Sequence, residues 1–147
     1  MKNMRWAWLA AAAGLAACSG VRSRVHDGNV DNVIDQKAQR GGLFEAIGIG
    51  ASDPTLKTDT QRKAVARDAA IVKAQYEMLS MIRGVTLKGG ITVDRAMESN
   101  STLETQILQT IVGAEVVRSE FTMDNGCVVT LRLPKRRIED LMGVRFE

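Results

Sequence analysis

Two runs of alternating apolar residues meet at Asp124-Asn125-Gly126, and no other stretch of the chain limits the fold as tightly. Val117, Ser119, Phe121 and Met123 share one face before the turn, and Cys127, Val129, Leu131 and Leu133 share one after it. Period-two alternation marks a strand with one buried side, and Asn-Gly between two such runs marks a hairpin. A two-residue Asn-Gly loop sets Met123 opposite Val128 and misaligns the apolar sets. A three-residue loop with Gly126 in the left-handed conformation pairs Met123 with Cys127, Phe121 with Val129 and Val117 with Leu133. That is the predicted register.

A long helix precedes the hairpin. Thr58 or Asp59 can cap it, the helical period continues to Arg83, and Gly84 supplies a terminator. Val65, Ala69, Val72, Tyr76, Leu79 and Ile82 form one continuous stripe, expected to cover a sheet, while Arg62, Lys63, Arg67, Asp68, Lys73 and Glu77 occupy much of the rest. Ala66, Ala70 and Ala74 form a second stripe of small residues, which suits close core packing or a partner contact, and core packing is the favoured reading. Ahead of the helix, residues 43–51 read as a strand with Ile47, Ile49 and Ala51 on one face and Ala46, Gly48 and Gly50 on the other. The glycine face allows another element to come close. Gly48-Ile49-Gly50 is not a dinucleotide-binding turn, because Asp53 stands at the third glycine position and Pro54 follows.

After the helix, Val85, Leu87, Ile91 and Val93 alternate across Gly89-Gly90 and predict a second strand or bulged pair. Ser101-x-x-Glu104 has the form of a capping box for a helix with Leu103, Ile107 and Ile111 inward, stopped by Gly113. Pro134 ends the hairpin, and Ile138, Leu141 and Met142 give a short helix closed by Gly143. The fold class is α+β: one long helix and shorter helices packed on a small, largely antiparallel sheet with a C-terminal hairpin.

The amino terminus has a different composition. Met1 to Arg5 carries two positive charges, and Trp6 to Ala17 is uncharged and ends in small residues, the order of an export signal. Such a run is too short for a membrane-spanning helix, which needs about 20 apolar residues. Leu15-Ala16-Ala17-Cys18 resembles the lipobox of bacterial lipoproteins. The resemblance implies cleavage before Cys18, lipid on its thiol and new amino group, and membrane attachment through that lipid. Ser19 follows where inner-membrane retention usually shows aspartate, which points to the outer membrane with the folded domain in the periplasm. The chain then divides into a signal peptide (1–17), a lipidated cysteine with a polar tether (18–41) and a single α+β domain (42–147). Val30, Val33 and Ile34 are placed to form a helical turn within the tether.

Loss of the signal also changes the charge balance. Without Lys2 and Arg5 the 20 basic residues become 18, against 17 acidic ones, so nothing in the net charge calls for a nucleic-acid partner. The single histidine, His26, has no second histidine or cysteine near it in sequence, so no metal-ligand spacing exists and no cofactor is expected. Cys127 falls on the buried face of the hairpin and reads as a small core residue. The alternative is a thiol-based redox protein or envelope hydrolase using Cys127, but a nucleophile needs a base, and His26 is far away in sequence. No catalytic residue is assigned, and the chain reads as a non-catalytic binding or assembly module. The candidate partner-binding residues are Lys135, Arg136 and Arg137, at a helix start where positive charge is unfavourable, and they suit an acidic partner or anionic glycan such as peptidoglycan.

The elements occur in a recognisable order. A glycine-bearing strand leads to a long alanine-rich helix ending in Ile82-Arg83-Gly84-Val85, then to a serine-led helix, Ile111-Val112-Gly113-Ala114, and the hairpin with Asp124-Asn125-Gly126. This order, over roughly residues 43 to 142, resembles the family of small envelope lipoproteins typified by a twenty-kilodalton membrane-associated lipoprotein. It is also similar to the amino-terminal domain of flagellar assembly protein T. The resemblance implies a compact α+β domain in envelope or flagellum-associated assembly, with an envelope or flagellar protein as partner and no catalytic residues to carry over. Many members have an aromatic or aliphatic residue after the turn glycine, where this chain has Cys127.

Overall fold

The computed structural model describes residues 22–31 and 37–147. The signal segment, Cys18, Val33 and Ile34 lie outside the described residues; Val30 falls in a strand. The elements are β1 (Val25–His26), β2 (Asn29–Val30), β3 (Lys37–Arg40), β4 (Leu43–Gly50), α1 (Asp59–Arg83), α2 (Val93–Ser99), α3 (Ser101–Val112), β5 (Glu115–Phe121), β6 (Cys127–Pro134) and α4 (Lys135–Met142). β3, β4, β6 and β5 form, in that order, a four-stranded antiparallel sheet, and β1 and β2 form a separate hairpin. This is the expected α+β architecture.

The helix α1 starts where a reciprocal cap forces it to. The Thr58 hydroxyl accepts from the Gln61 amide at 3.2 Å while the Gln61 side chain accepts from the Thr58 amide at 3.4 Å. It packs on the face of the sheet built from Phe44, Ala46, Gly48 and Gly50 of β4 and Cys127, Val129, Leu131 and Leu133 of β6. The stripe that meets the sheet is Ala66, Ala70 and Ala74, with Met78 and Met81 following. The larger stripe predicted to cover the sheet points the other way: Val65 is 46%, Val72 65% and Tyr76 64% exposed. Only its end turns in, with Leu79 packed against the core and Ile82 fully buried. Close approach decides this reversal. A Cβ on Gly50 would sit 2.0 Å from the Ala66 carbonyl oxygen, so the helix backbone lies almost on the strand and leaves room only for alanine between them.

The ordered sheet begins earlier than residue 42. Lys37–Arg40 pairs with β4, and Lys37 reaches α1 through an ion pair with Glu77 at 3.2 Å. The β1–β2 hairpin is tied to the far edge of the sheet. Glu120 of β5 accepts from the Ser23 hydroxyl and from the Arg24 amide at 2.8 Å. Burial opposes ionisation of Glu120, but these donors and Arg118 outweigh it and hold the carboxyl below its ordinary range.

The C-terminal hairpin forms with a longer loop than expected. Phe121 pairs with Cys127 and Ser119 with Val129, leaving residues 122–126 as the loop. A slip of two positions keeps the same faces together, so Cys127 and Val129 still point inward. Met123 leaves the ladder because its amide donates to the Gly28 carbonyl at 2.9 Å, and the left-handed residue is Asn125 (φ 65°), not Gly126. A bulge between Val116 and Arg118 then sets Val116 opposite Leu131, where Val117 was expected opposite Leu133.

Two further expectations change. Residues 85–93 form the short pair rather than a full strand: Gly89 (φ 123°) and Gly90 (φ 81°) turn the chain back, Thr86 bridges Thr92 in antiparallel fashion, the Leu87 amide donates to the Ile91 carbonyl at 2.8 Å, and Val93 opens α2 under a Thr92 cap. The cap of α3 is Asn100, whose side-chain oxygen accepts from the amides of Thr102 and Leu103, each at 3.1 Å. Glu104, expected in a capping box, instead pairs with Arg83 at 3.3 Å. The chain ends by folding back: Phe146 packs edge-on against Phe44 with ring centroids 5.7 Å apart.

Candidate functional site

The basic cluster Lys135-Arg136-Arg137 is one patch in sequence and three places in space. Lys135 continues straight from β6, its amide donating to the Gly42 carbonyl at 2.8 Å, and its Nζ stands 5.4 Å from the centroid of the Phe44 ring. The ammonium is therefore held over an aromatic face. Arg136 is exposed, and its side chain makes no hydrogen bond or ion pair with the described residues. Arg137 turns toward α3, where its Nη1 donates to the Gly113 carbonyl at 3.5 Å. That carbonyl belongs to the C-terminal end of α3, where partial negative charge collects. So α4 is not penalised at its own start as heavily as the sequence suggests, because Arg137 lies at the favourable end of its neighbour.

Arg137 borders a groove between α3 and α4 of about 380 Å³, lined also by Gln106, Gln109, Thr110, Gly113 and Leu141. Gln106, Gln109 and Thr110 fall three and four residues apart, so α3 presents them along one side. The Thr110 hydroxyl is occupied by the Gln106 carbonyl at 2.8 Å. What remains to face a ligand is two carboxamides, one guanidinium and an aliphatic edge at Leu141. Such a set is able to hydrogen-bond neutral polar groups and pair with one negative charge, and the lining holds no general acid, base or nucleophile. The glutamines were not singled out in the sequence because a polar outer face is ordinary for an amphipathic helix; only the fold sets it beside Arg137.

Cys127 is fully buried under α1 on β6, as its place on the apolar face of the hairpin predicted. Burial pushes its thiol above the ordinary range, against a smaller opposing effect from Arg67. At neutral pH it is neither ionised nor accessible, the two conditions a thiol nucleophile needs. His26 sits on the exposed β1–β2 hairpin with Nε2 3.5 Å from an oxygen of Asp31. Among the described residues no three His, Cys, Asp or Glu side chains gather as a metal site, and no helix is long and apolar enough to cross a membrane.

Comparison with protein-family models, with curated proteins and with solved structures finds no match for this chain.

Proposed function

We propose that this protein is a lipid-anchored, non-catalytic binding module of the bacterial cell envelope. In this reading it is attached to the outer membrane through Cys18, holds its α+β domain in the periplasm, and uses the α3–α4 groove as its contact surface. One observation carries the attachment: a charged start, an uncharged run and Leu15-Ala16-Ala17-Cys18 follow one another in the order of a lipoprotein signal. More than one acyl chain on a single cysteine gives stable anchoring, which one myristoyl-length chain does not. Cys18→Ser should abolish labelling by a fatty-acid probe and move the protein out of the membrane fraction. Unchanged membrane association in that variant refutes the reading.

The groove supports a polar, singly anionic ligand, and peptidoglycan offers both features through its amides, hydroxyls and peptide carboxylates. Binding to isolated peptidoglycan at low salt, lost in Arg137→Ala and kept in Arg136→Ala, is the expected result. Retention that is equal in both variants assigns the contact elsewhere. The narrower flagellar reading rests on the order of elements alone. It is abandoned if cells lacking the protein assemble basal-body rings and swim normally.

A further inference from the structure

The outward face of α1 carries Val65, Ala69, Val72, Tyr76 and Leu79, with spacings that alternate between four and three. This line lies on the side of the helix away from the alanines that meet the sheet, and all of it except Leu79 is exposed. A helix that covers a sheet needs one broad apolar stripe on the covered side. α1 has that stripe in Ala66, Ala70, Ala74, Met78 and Met81, and so the exposed part of the second line, Val65 to Tyr76, is surplus to the fold. Its narrow three-and-four repeat has the spacing of a coiled-coil seam.

We propose that α1 is a dimerisation helix, and that its partner is α1 of a second copy of this chain, packed parallel and in register about a two-fold axis. The flanking charges choose this occupant and this orientation. With Ala69 and Tyr76 at a and Val65, Val72 and Leu79 at d, Asp68 falls at g and Lys73 at e. In a parallel pair a g residue faces the e residue of the partner's next heptad, so Asp68 faces Lys73 of the second copy. Gln75 faces Ser80 in the same way, and symmetry makes each contact twice. An antiparallel pair sets Asp68 against Gln75 and Lys73 against Ala66, and loses both ion pairs. Lys73 already lies beside the seam, its Nζ 5.3 Å from the centroid of the Tyr76 ring and 2.8 Å from Glu77 of its own helix, so the partner's Asp68 shares an ammonium that Glu77 already holds. The arginines at the two ends of the line do not oppose the pairing. Arg62 is held by the Leu56 carbonyl at 3.0 Å and Asp59 at 3.3 Å, and Arg83 by Asp94 at 3.4 Å and Glu104 at 3.3 Å.

Disulfide trapping tests the pairing in intact cells on the full-length chain, followed by the mass of the detergent-extracted protein. In the parallel register Val65 meets its own counterpart, so Val65→Cys should cross-link to a dimer under mild oxidation. The unsubstituted chain controls for Cys18 and Cys127. Val72→Asp, an exposed change that leaves the helix folded by circular dichroism, should remove the cross-link from Val65→Cys and weaken association by roughly 100-fold or more. A monomeric mass at about 100 µM chain overturns the proposal and frees the face for another protein. A dimer indifferent to Val72→Asp also overturns it. So does a dimer in which Val65→Cys cross-links only to Tyr76→Cys, the antiparallel pairing.

Discussion

Gly48 and Ala70 touch backbone to backbone: a Cβ on Gly48 would stand 1.9 Å from the Ala70 carbonyl oxygen and 2.4 Å from the Ala74 amide nitrogen. No rotamer change relieves such a contact, because both neighbours belong to the helix backbone. Gly48→Ala should therefore lift α1 off β4 and cost about 3 kcal/mol or more, at the upper end for overpacking. Gly84→Ala is the control, since its nearest neighbour would be 3.7 Å away and its φ of −77° suits any residue. Urea unfolding should separate the two; equal midpoints would contradict the close packing of α1 on β4.

Glu77 joins α1 to the edge strand, with one carboxylate oxygen 2.8 Å from Lys73 and the other 3.2 Å from Lys37. The Lys73 hydrogen bond is the main cause that holds its pKa below the ordinary 4.5, with burial opposing. A depressed carboxylate pKa stabilises the fold above the unfolded value, and that contribution disappears as pH falls through the folded value. Glu77→Gln should cost about 1–2 kcal/mol at neutral pH, because both lysines stay partly solvated once the charge is removed. Denaturation at a series of pH values should show the gap between variant and parent constant at neutral pH and closing below 4.5. A gap independent of pH removes the ionic account.

Cys127 lies wholly inside, so in the folded protein a thiol reagent should not label it, and denaturant should make it react in full. Cys127→Ala should cost about 1 kcal/mol for lost packing, and Cys127→Ser about 1–3 kcal/mol for an unsatisfied buried hydroxyl. Rapid labelling of the native protein would revive a thiol-based activity.

Asn125 occupies the left-handed region at φ 65° and donates from Nδ2 to Asp59 at 3.1 Å, which ties the loop to the first turn of α1. Asn125→Val places a β-branched residue in that conformation and should cost about 1–2 kcal/mol. Asn125→Gly keeps the backbone and loses only the exposed hydrogen bond, so its effect should stay below about 1 kcal/mol. Thermal unfolding of the pair measures the difference. The reverse order would place the left-handed residue elsewhere in the loop.

The candidate site was only partly legible in the chain. Lys135, Arg136 and Arg137 stand out as neighbours, yet a helix fans successive residues about 100° apart, and the start of β4 and the end of α3 then claim Lys135 and Arg137 separately. The groove needs Gln106 and Gln109 from another helix, and nothing in their spacing distinguishes them from a solvated face. The residues 85–93 show a related limit. They alternate like a strand, but the glycine turn folds them into a pair with a single bridge, Thr86 to Thr92, before Val93 starts α2.

Local chemistry alone determined the span of α1, through the Thr58 cap and Gly84, and the inward face of β6, because period two admits only two choices. It also placed Gly48 and Gly50 on one side of a strand that another element would approach. Which stripe of α1 would make that approach was decided only in three dimensions. By side-chain size the line from Val65 to Tyr76 is the better candidate for burial. The glycines of β4 bring the helix backbone so near that only the alanines fit beneath it, and the larger residues are left facing outward. Hydrophobicity counts apolar residues along one helix, whereas burial depends on the room left by the partner surface, and that room belongs to two elements at once.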